Sequence, residues 1–206
     1  MTPRGHLIAF EGLDQSGKQT QAERLLASFR AAGLGAEFLT FPEYTTAIGT
    51  EIGHALQGER HYDPDTLQLL YVANRFEFRP QILQWLDAGC MVVCDRYLAS
   101  SVAYGEAQGL DAAWLGEIQR PLPQPALTLL LDIAPDASLN RKQVARDKFE
   151  RDLPLLGRVR ESYLRQASGD PGWVHLDGAR DKEAVSADVL SAVRSRLGLL
   201  SAPAPL

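Results

Sequence analysis

The segment Gly12-Leu13-Asp14-Gln15-Ser16-Gly17-Lys18-Gln19-Thr20 has the residue types of a loop that cradles phosphate groups. Glycines let backbone N–H groups turn toward phosphate oxygens. Lys18 adds a cation for the β- and γ-phosphates, and a following helix adds its positive N-terminal end. The spacing matches G-x4-G-K-[ST] except at the last position. Gln19 stands where a hydroxyl ordinarily ligates Mg²⁺, and Thr20 falls one residue late for that duty. Two glycines and a lysine at this spacing are a weak signal alone. Their place between the apolar run Leu7–Phe10 and a helical pattern is what the motif requires.

Asp95-Arg96-Tyr97 directly follows a second apolar run. A carboxylate there is placed to hold Mg²⁺, directly or through water, and Arg96 offers a planar fork of donors suited to a phosphate. The plainer reading is an Asp–Arg pair capping a strand end. Phe41-Pro42-Glu43-Tyr44-Thr45-Thr46 follows another short run; Phe41 could wall a base site, and Thr45 or Thr46 could cap a helix. Tyr71 and Arg75 are four apart and share one helix face, so they could stack on a base and donate to its edge. The alternative is a half-buried aromatic beside an ordinary surface arginine. Arg141, Lys142, Arg146, Lys148 and Arg151 form a basic run interleaved with Asp147, Glu150 and Asp152. Such a run is usually a solvated face. As a lid it would surround a transferring phosphoryl group with cations and exclude water.

The elements that must position these groups alternate between strand and helix. Strand patterns cover Leu7–Phe10, Ala36–Phe41, Cys90–Cys94, Leu127–Ile133 and Trp173–Leu176. Helical spacing follows Gly17, fills about Asp65–Asp87, and recurs over Asp136–Arg146, Leu153–Ala167 and Lys182–Leu197. Pro80 should bend or break the long helix. The alternation predicts an α/β fold with a five-stranded parallel sheet and helices on both faces. Ligands of such sheets sit at the carboxyl ends of the strands, where the polar motifs fall. Residues 1–200 are expected to form a single domain with a short basic lid at about 140–152, and 201–206 a frayed tail.

Bulk properties narrow the function classes. The 206 residues carry a net charge of −5, with 45% hydrophobic and 23% charged residues. A polynucleotide binder would show a basic stripe, so a small anionic ligand in a local basic pocket fits better. No run approaches the roughly 20 apolar residues of a membrane span. Met1–His6 is too short and polar for a signal peptide, which predicts a cytoplasmic protein. Cys90 and Cys94 have no nearby His or Cys to complete a zinc set, and read as small strand residues in a reducing compartment.

Taken in order, several motifs resemble those of the thymidylate kinase family, over about residues 6–195. They are Phe10-Glu11-Gly12 through Gly17-Lys18 and Thr20-Gln21, Phe41-Pro42-Glu43, Ala73-Asn74-Arg75, and Asp95-Arg96-Tyr97 with Ser100-Ser101 and Ala103-Tyr104. Lys148-Phe149-Glu150-Arg151 resembles the end of that family's lid. The resemblance implies a P-loop nucleoside monophosphate kinase fold and phosphoryl transfer from ATP to dTMP with Mg²⁺. It implies that Lys18 and the loop from Asp14 to Thr20 bind ATP phosphates, with Arg141 and Arg180 near adenine. Tyr71 would stack on thymine, Arg75 would bond its edge, and Ser101 would face the base. Tyr104 would crowd the sugar 2′ position. Arg96 would hold the acceptor phosphate with Asp14 near it, Asp95 would lie near the metal, and Glu150 near both the metal and the acceptor. A homodimer through helices such as 65–87 is implied too.

The chain departs from the pattern at three positions. Gln15 replaces an arginine that assists transfer in one branch, shifting that duty to Arg146 or Arg141. Tyr44 stands where many members carry an arginine for the acceptor phosphate, and Gln19 replaces the usual hydroxyl. The competing readings are a kinase for another monophosphate or a deoxynucleoside, a P-loop hydrolase or switch, and a non-catalytic nucleotide-binding regulator.

Overall fold

The computed structural model describes residues 4–141 and 152–200. Five strands form one sheet, all parallel, in the order β2-β3-β1-β4-β5. They are β1 Leu7–Glu11, β2 Ala36–Thr40, β3 Met91–Asp95, β4 Leu127–Asp132 and β5 Trp173–Asp177. The helices are α1 Lys18–Ala31, α2 Ala47–Gln57, α3 Pro64–Asp87, α4 Leu98–Ala107, α5 Ala112–Glu117, α6 Pro135–Arg141, α7 Leu153–Ser168 and α8 Lys182–Leu197. Alternation along β1 sends its side chains to two cores. Ile8 and Phe10 pack with α1 and α8, while Leu7 and Ala9 pack with α3. Burial on both faces explains why the central strands read as unbroken apolar runs. A third cluster joins Leu130 of β4 to α4 and α7.

Local chemistry sets the helix ends. Thr46 accepts from the Gly49 N–H, Asp111 from Ala113 and Trp114, Asp152 from Leu155, and Asp181 from Glu183 and Ala184. Each satisfies donors that the first turn leaves open. The long helix departs from expectation: α3 runs unbroken through Pro80. Pro80 is exposed, so the carbonyl it frees can meet water, while Ile82 and Leu86 beyond it stay locked into the core.

The register brings the motifs together. Phe10 of β1 pairs with Asp95 of β3, and Thr40 of β2 pairs with the same Asp95. The Arg96 N–H donates to the Phe10 carbonyl at 2.9 Å, and the Phe41 N–H to the Asp95 carbonyl at 3.0 Å. Three polar segments far apart in the chain thus leave the sheet side by side at its carboxyl edge.

Candidate active site

The loop after β1 is held by its backbone. Gly12 has φ +137°, and a Cβ there would stand 2.3 Å from the Leu131 carbonyl oxygen, so only glycine lets the loop pass against β4. Gly17, at φ +95°, precedes the first residue of α1. Lys18 opens that helix almost fully buried, and its Nζ donates to the Leu13 carbonyl at 2.8 Å. Burial, then the Arg96 charge, lowers the Lys18 pKa from 10.5 to about 8; Asp95, Asp14 and Glu11 offset only part of this.

Arg96 sits at φ 63° immediately after β3. Its Nη2 donates to Asp14 Oδ1 at 2.6 Å and to the Tyr104 hydroxyl at 3.3 Å. Its Nη1 donates to Ser100 Oγ at 3.1 Å and the Tyr163 hydroxyl at 3.2 Å. The guanidinium also lies over the Tyr104 ring, 5.3 Å from its centroid. Burial opposes its charge, but Asp14 foremost outweighs that and raises its pKa well above the ordinary value. Burial likewise opposes the Asp14 charge. Arg96 and Lys18, with hydrogen bonds from Arg96 and Tyr104, overcome it and bring the carboxyl down to about 2.

Beneath this pair lies a carboxylate that the sequence reading left without a role. Glu11, fully buried, accepts from the Tyr97 N–H at 2.8 Å, Ser100 Oγ at 2.6 Å and the Tyr163 hydroxyl at 3.1 Å. It anchors the start of α4 to β1 and fixes the Ser100 and Tyr163 oxygens that receive Arg96. Arg75, also buried, donates through Nη1 to Ser101 Oγ at 2.9 Å and Gln119 Oε1 at 3.1 Å. Asn74 links α3 to the loop after β2 by bonding Glu43, Thr46 and Glu77. Glu11, Tyr163, Gln119 and Asn74 were thus missed as supporting residues.

These groups surround one cavity of about 550 Å³. Asp14, Gln15, Gly17, Lys18, Gln19 and Thr20 line it from the first loop. Asp95 and Arg96 line it from the end of β3, and Phe41 from the end of β2. Tyr71 and Arg75 of α3 and Ser101 and Tyr104 of α4 complete the expected set; Gln68, Ser100 and Tyr44 line it as well. Gly12, Leu13 and Ser16 form the loop's inner backing rather than the wall. Arg180 lies elsewhere, ion-paired with Asp188, although its loop touches the first: a Cβ on Gly178 would stand 3.2 Å from the Ser16 carbonyl oxygen. Arg146 and Glu150 lie outside the described residues, as do most of the expected lid and the tail 201–206. Arg141 ends α6.

The model of the family described as thymidylate kinase matches residues 10–189. The thymidylate kinase of Homo sapiens is 34% identical over 192 residues, covering 90% of this chain and 88% of that protein. The chain belongs to the thymidylate kinase family. The family's Arabidopsis thaliana enzyme is 34% identical over 191 residues, covering 93% of this chain and 72% of that protein. The solved structure of thymidylate kinase from Candida albicans superposes with a TM-score of 0.83 at 28% identity, covering 93% of this chain and 92% of that one. Membership makes this chain a nucleoside monophosphate kinase, a phosphotransferase on a P-loop α/β fold. Among the described residues no helix is long and apolar enough to cross a membrane.

Proposed function

We infer that this chain transfers the γ-phosphoryl group of ATP to dTMP, giving dTDP and ADP. The observation that carries the reading is the shared cavity, lined by both Lys18 and Arg96. Lys18 follows the loop that leaves β1, and Arg96 directly follows β3, the hydrogen-bonded neighbour of β1. Two phosphate sites within one cavity suit in-line transfer between two nucleotides. The acceptor phosphate oxygen is already anionic at neutral pH, so positioning and charge neutralisation do the work and no general base is required.

In this reading Lys18 and the backbone of residues 14–20 hold the ATP phosphates. Arg96, fixed by Asp14 and Ser100, holds the acceptor phosphate. Phe41, Tyr71, Arg75 and Ser101 surround the base, and Tyr104 lies against the sugar. Asp95 fits a role beside Mg²⁺: it lines the cavity, and its Oδ1 is buried with no hydrogen-bond partner among the described residues. The ion would be held by Asp95, Glu150 and phosphate oxygens, and when bound it would neutralise charge on the phosphates. Arg146 and Arg141 would supply lid cations over the transferring group, with a lid at 140–152 on a single domain and Arg180 near the adenine. The reading extends to a cytoplasmic protein, supported by two free cysteines, and to a homodimer through α3, which leaves Leu69 exposed.

Purified protein with ATP, Mg²⁺ and a panel of nucleoside monophosphates is expected to release ADP in a dTMP-dependent way, with dTDP in equal amount. ADP release without any acceptor, transfer to thymidine but not dTMP, or no turnover with any monophosphate would each contradict the reading.

A further inference from the structure

Three side chains of α3 reach the cavity in one row: Gln68, Tyr71 and Arg75, spaced three and four residues apart. Gln68 is 1% exposed, yet its Oε1 has no hydrogen-bond partner among the described residues. An unsatisfied buried acceptor of this kind destabilises the unliganded protein. Such a group calls for an explanation, and a bound ligand that completes it is one. At Gly105 an added Cβ would stand 2.6 Å from Leu115 Cδ1 and 3.3 Å from Gln68 Cγ, so the absent side chain on α4 lets Leu115, and to a lesser degree Gln68, pack close to that helix.

Arg75 supplies the complement. Its Nη1 is committed to Ser101 and Gln119, but its Nε is buried without a partner among the described residues. Two α3 side chains that line the cavity therefore carry one buried uncommitted acceptor and one buried uncommitted donor, which a bound base would have to reach. A thymine edge offers the matching pair, the N3–H donor beside the O4 acceptor. Cytosine offers the reverse, an N3 acceptor beside an N4 amino donor. We propose that Gln68 is a specificity-determining residue for the acceptor base, its carboxamide oxygen accepting from the imide N3–H while Arg75 donates to the neighbouring O4. The assignment rests on the dTMP reading above and deepens it.

Gln68→Leu and Gln68→Met keep the bulk of the side chain and remove the acceptor. Initial rates, with dCMP as competitor, are measured beside melting temperatures. In both variants KM for dTMP is expected to rise about tenfold, the loss of one hydrogen bond to a buried partner. Turnover number, KM for ATP and the inhibition constant of dCMP should stay within about twofold, and the melting temperature should not fall. Unchanged KM for dTMP overturns the assignment. So does an equal loss for dTMP and dCMP, or a variant that fails to fold, since each marks the amide as structural. Wild-type protein inactive toward dTMP overturns the functional reading and this assignment together; active wild type with indifferent variants overturns this one alone.

Discussion

Replacing Arg96 by alanine is expected to lower kcat/KM for dTMP about a thousandfold and to destabilise the fold at the same time. The catalytic loss follows from removing the planar donor fork that the proposed reading sets against the acceptor phosphate, where charge must be neutralised. Tyr44 occupies a cavity-lining position and brings no positive charge, so among the described residues that line the cavity only Lys18 and Arg75 remain as cations. In the proposed reading Lys18 serves the other phosphate site, and Arg75 is tied to Ser101 and Gln119. The loss of stability follows from Asp14. Without Arg96 the Asp14 carboxylate loses its 2.6 Å partner in a part-buried setting, worth about 3 kcal/mol, at the low end for a broken pair because Tyr104 still donates. For a chain of this size that lowers the melting temperature by roughly 5–10 °C.

The pH dependence gives this effect a signature. In the folded protein the Asp14 pKa is depressed from 3.8 to about 2. Between those values the unfolded chain binds more protons, so stability falls as pH falls. The contribution is complete above about pH 4 and lost on acidification toward pH 2. The stability gap between wild type and Arg96→Ala should therefore be constant near neutrality and narrow below pH 4. A gap that persists undiminished at pH 2 would mean that Arg96 stabilises the fold through Ser100 and Tyr163 instead.

Lys18→Ala is expected to behave differently: turnover falls about a hundred- to a thousandfold while the fold is no less stable. The folded pKa of about 8 against 10.5 means that burying this charge costs the folded state about 3 kcal/mol below pH 8. Between pH 8 and 10.5 the unfolded chain binds more protons, so that cost fades as pH rises through the window. Removing the ammonium removes the cost, although its hydrogen bond to the Leu13 carbonyl is lost with it. Melting temperatures near pH 7 should thus be equal or higher in the variant. In wild type, kcat/KM for ATP should decline above about pH 8 as the free enzyme loses the Lys18 proton, a limb that Lys18→Ala should lack. Near-normal turnover in the variant would remove the first loop from the site.

How much was legible depended on how local the physics is. The loop at Gly12–Thr20 could be read because its conformational demands fall on consecutive residues, and Asp95-Arg96 because it ends an unbroken apolar strand. All five strands and the long helices followed from apolar periodicity. Helix α4 did not: its buried face is made of Ala99, Ser100, Ser101, Ala103, Gly105 and Ala107, too small and polar to give an apolar stripe. The cap of α2 at Thr46 was legible but its extent was not, and α5 was hidden, for the related reason that few of their residues are buried. The support beneath Arg96 was illegible in principle, since Glu11 meets Tyr163 across 152 residues of sequence. Gln119, 44 residues from Arg75, carries no local sign of its contact either. Pro80 shows the converse error, where a local rule lost to packing on either side of an exposed position.

The central claim is that donor and acceptor phosphates meet in one cavity between Lys18 and Arg96. Calorimetric titration with adenosine and deoxythymidine joined 5′ to 5′ by a chain of five phosphates tests it most directly. The account predicts one molecule bound per chain, at least a hundredfold more tightly than ATP or dTMP alone, because a linked second contact no longer bears a separate association cost. It also predicts that Lys18→Ala and Arg96→Ala each abolish that advantage. An affinity no better than that of ATP, or an advantage that survives the loss of either cation, would contradict it.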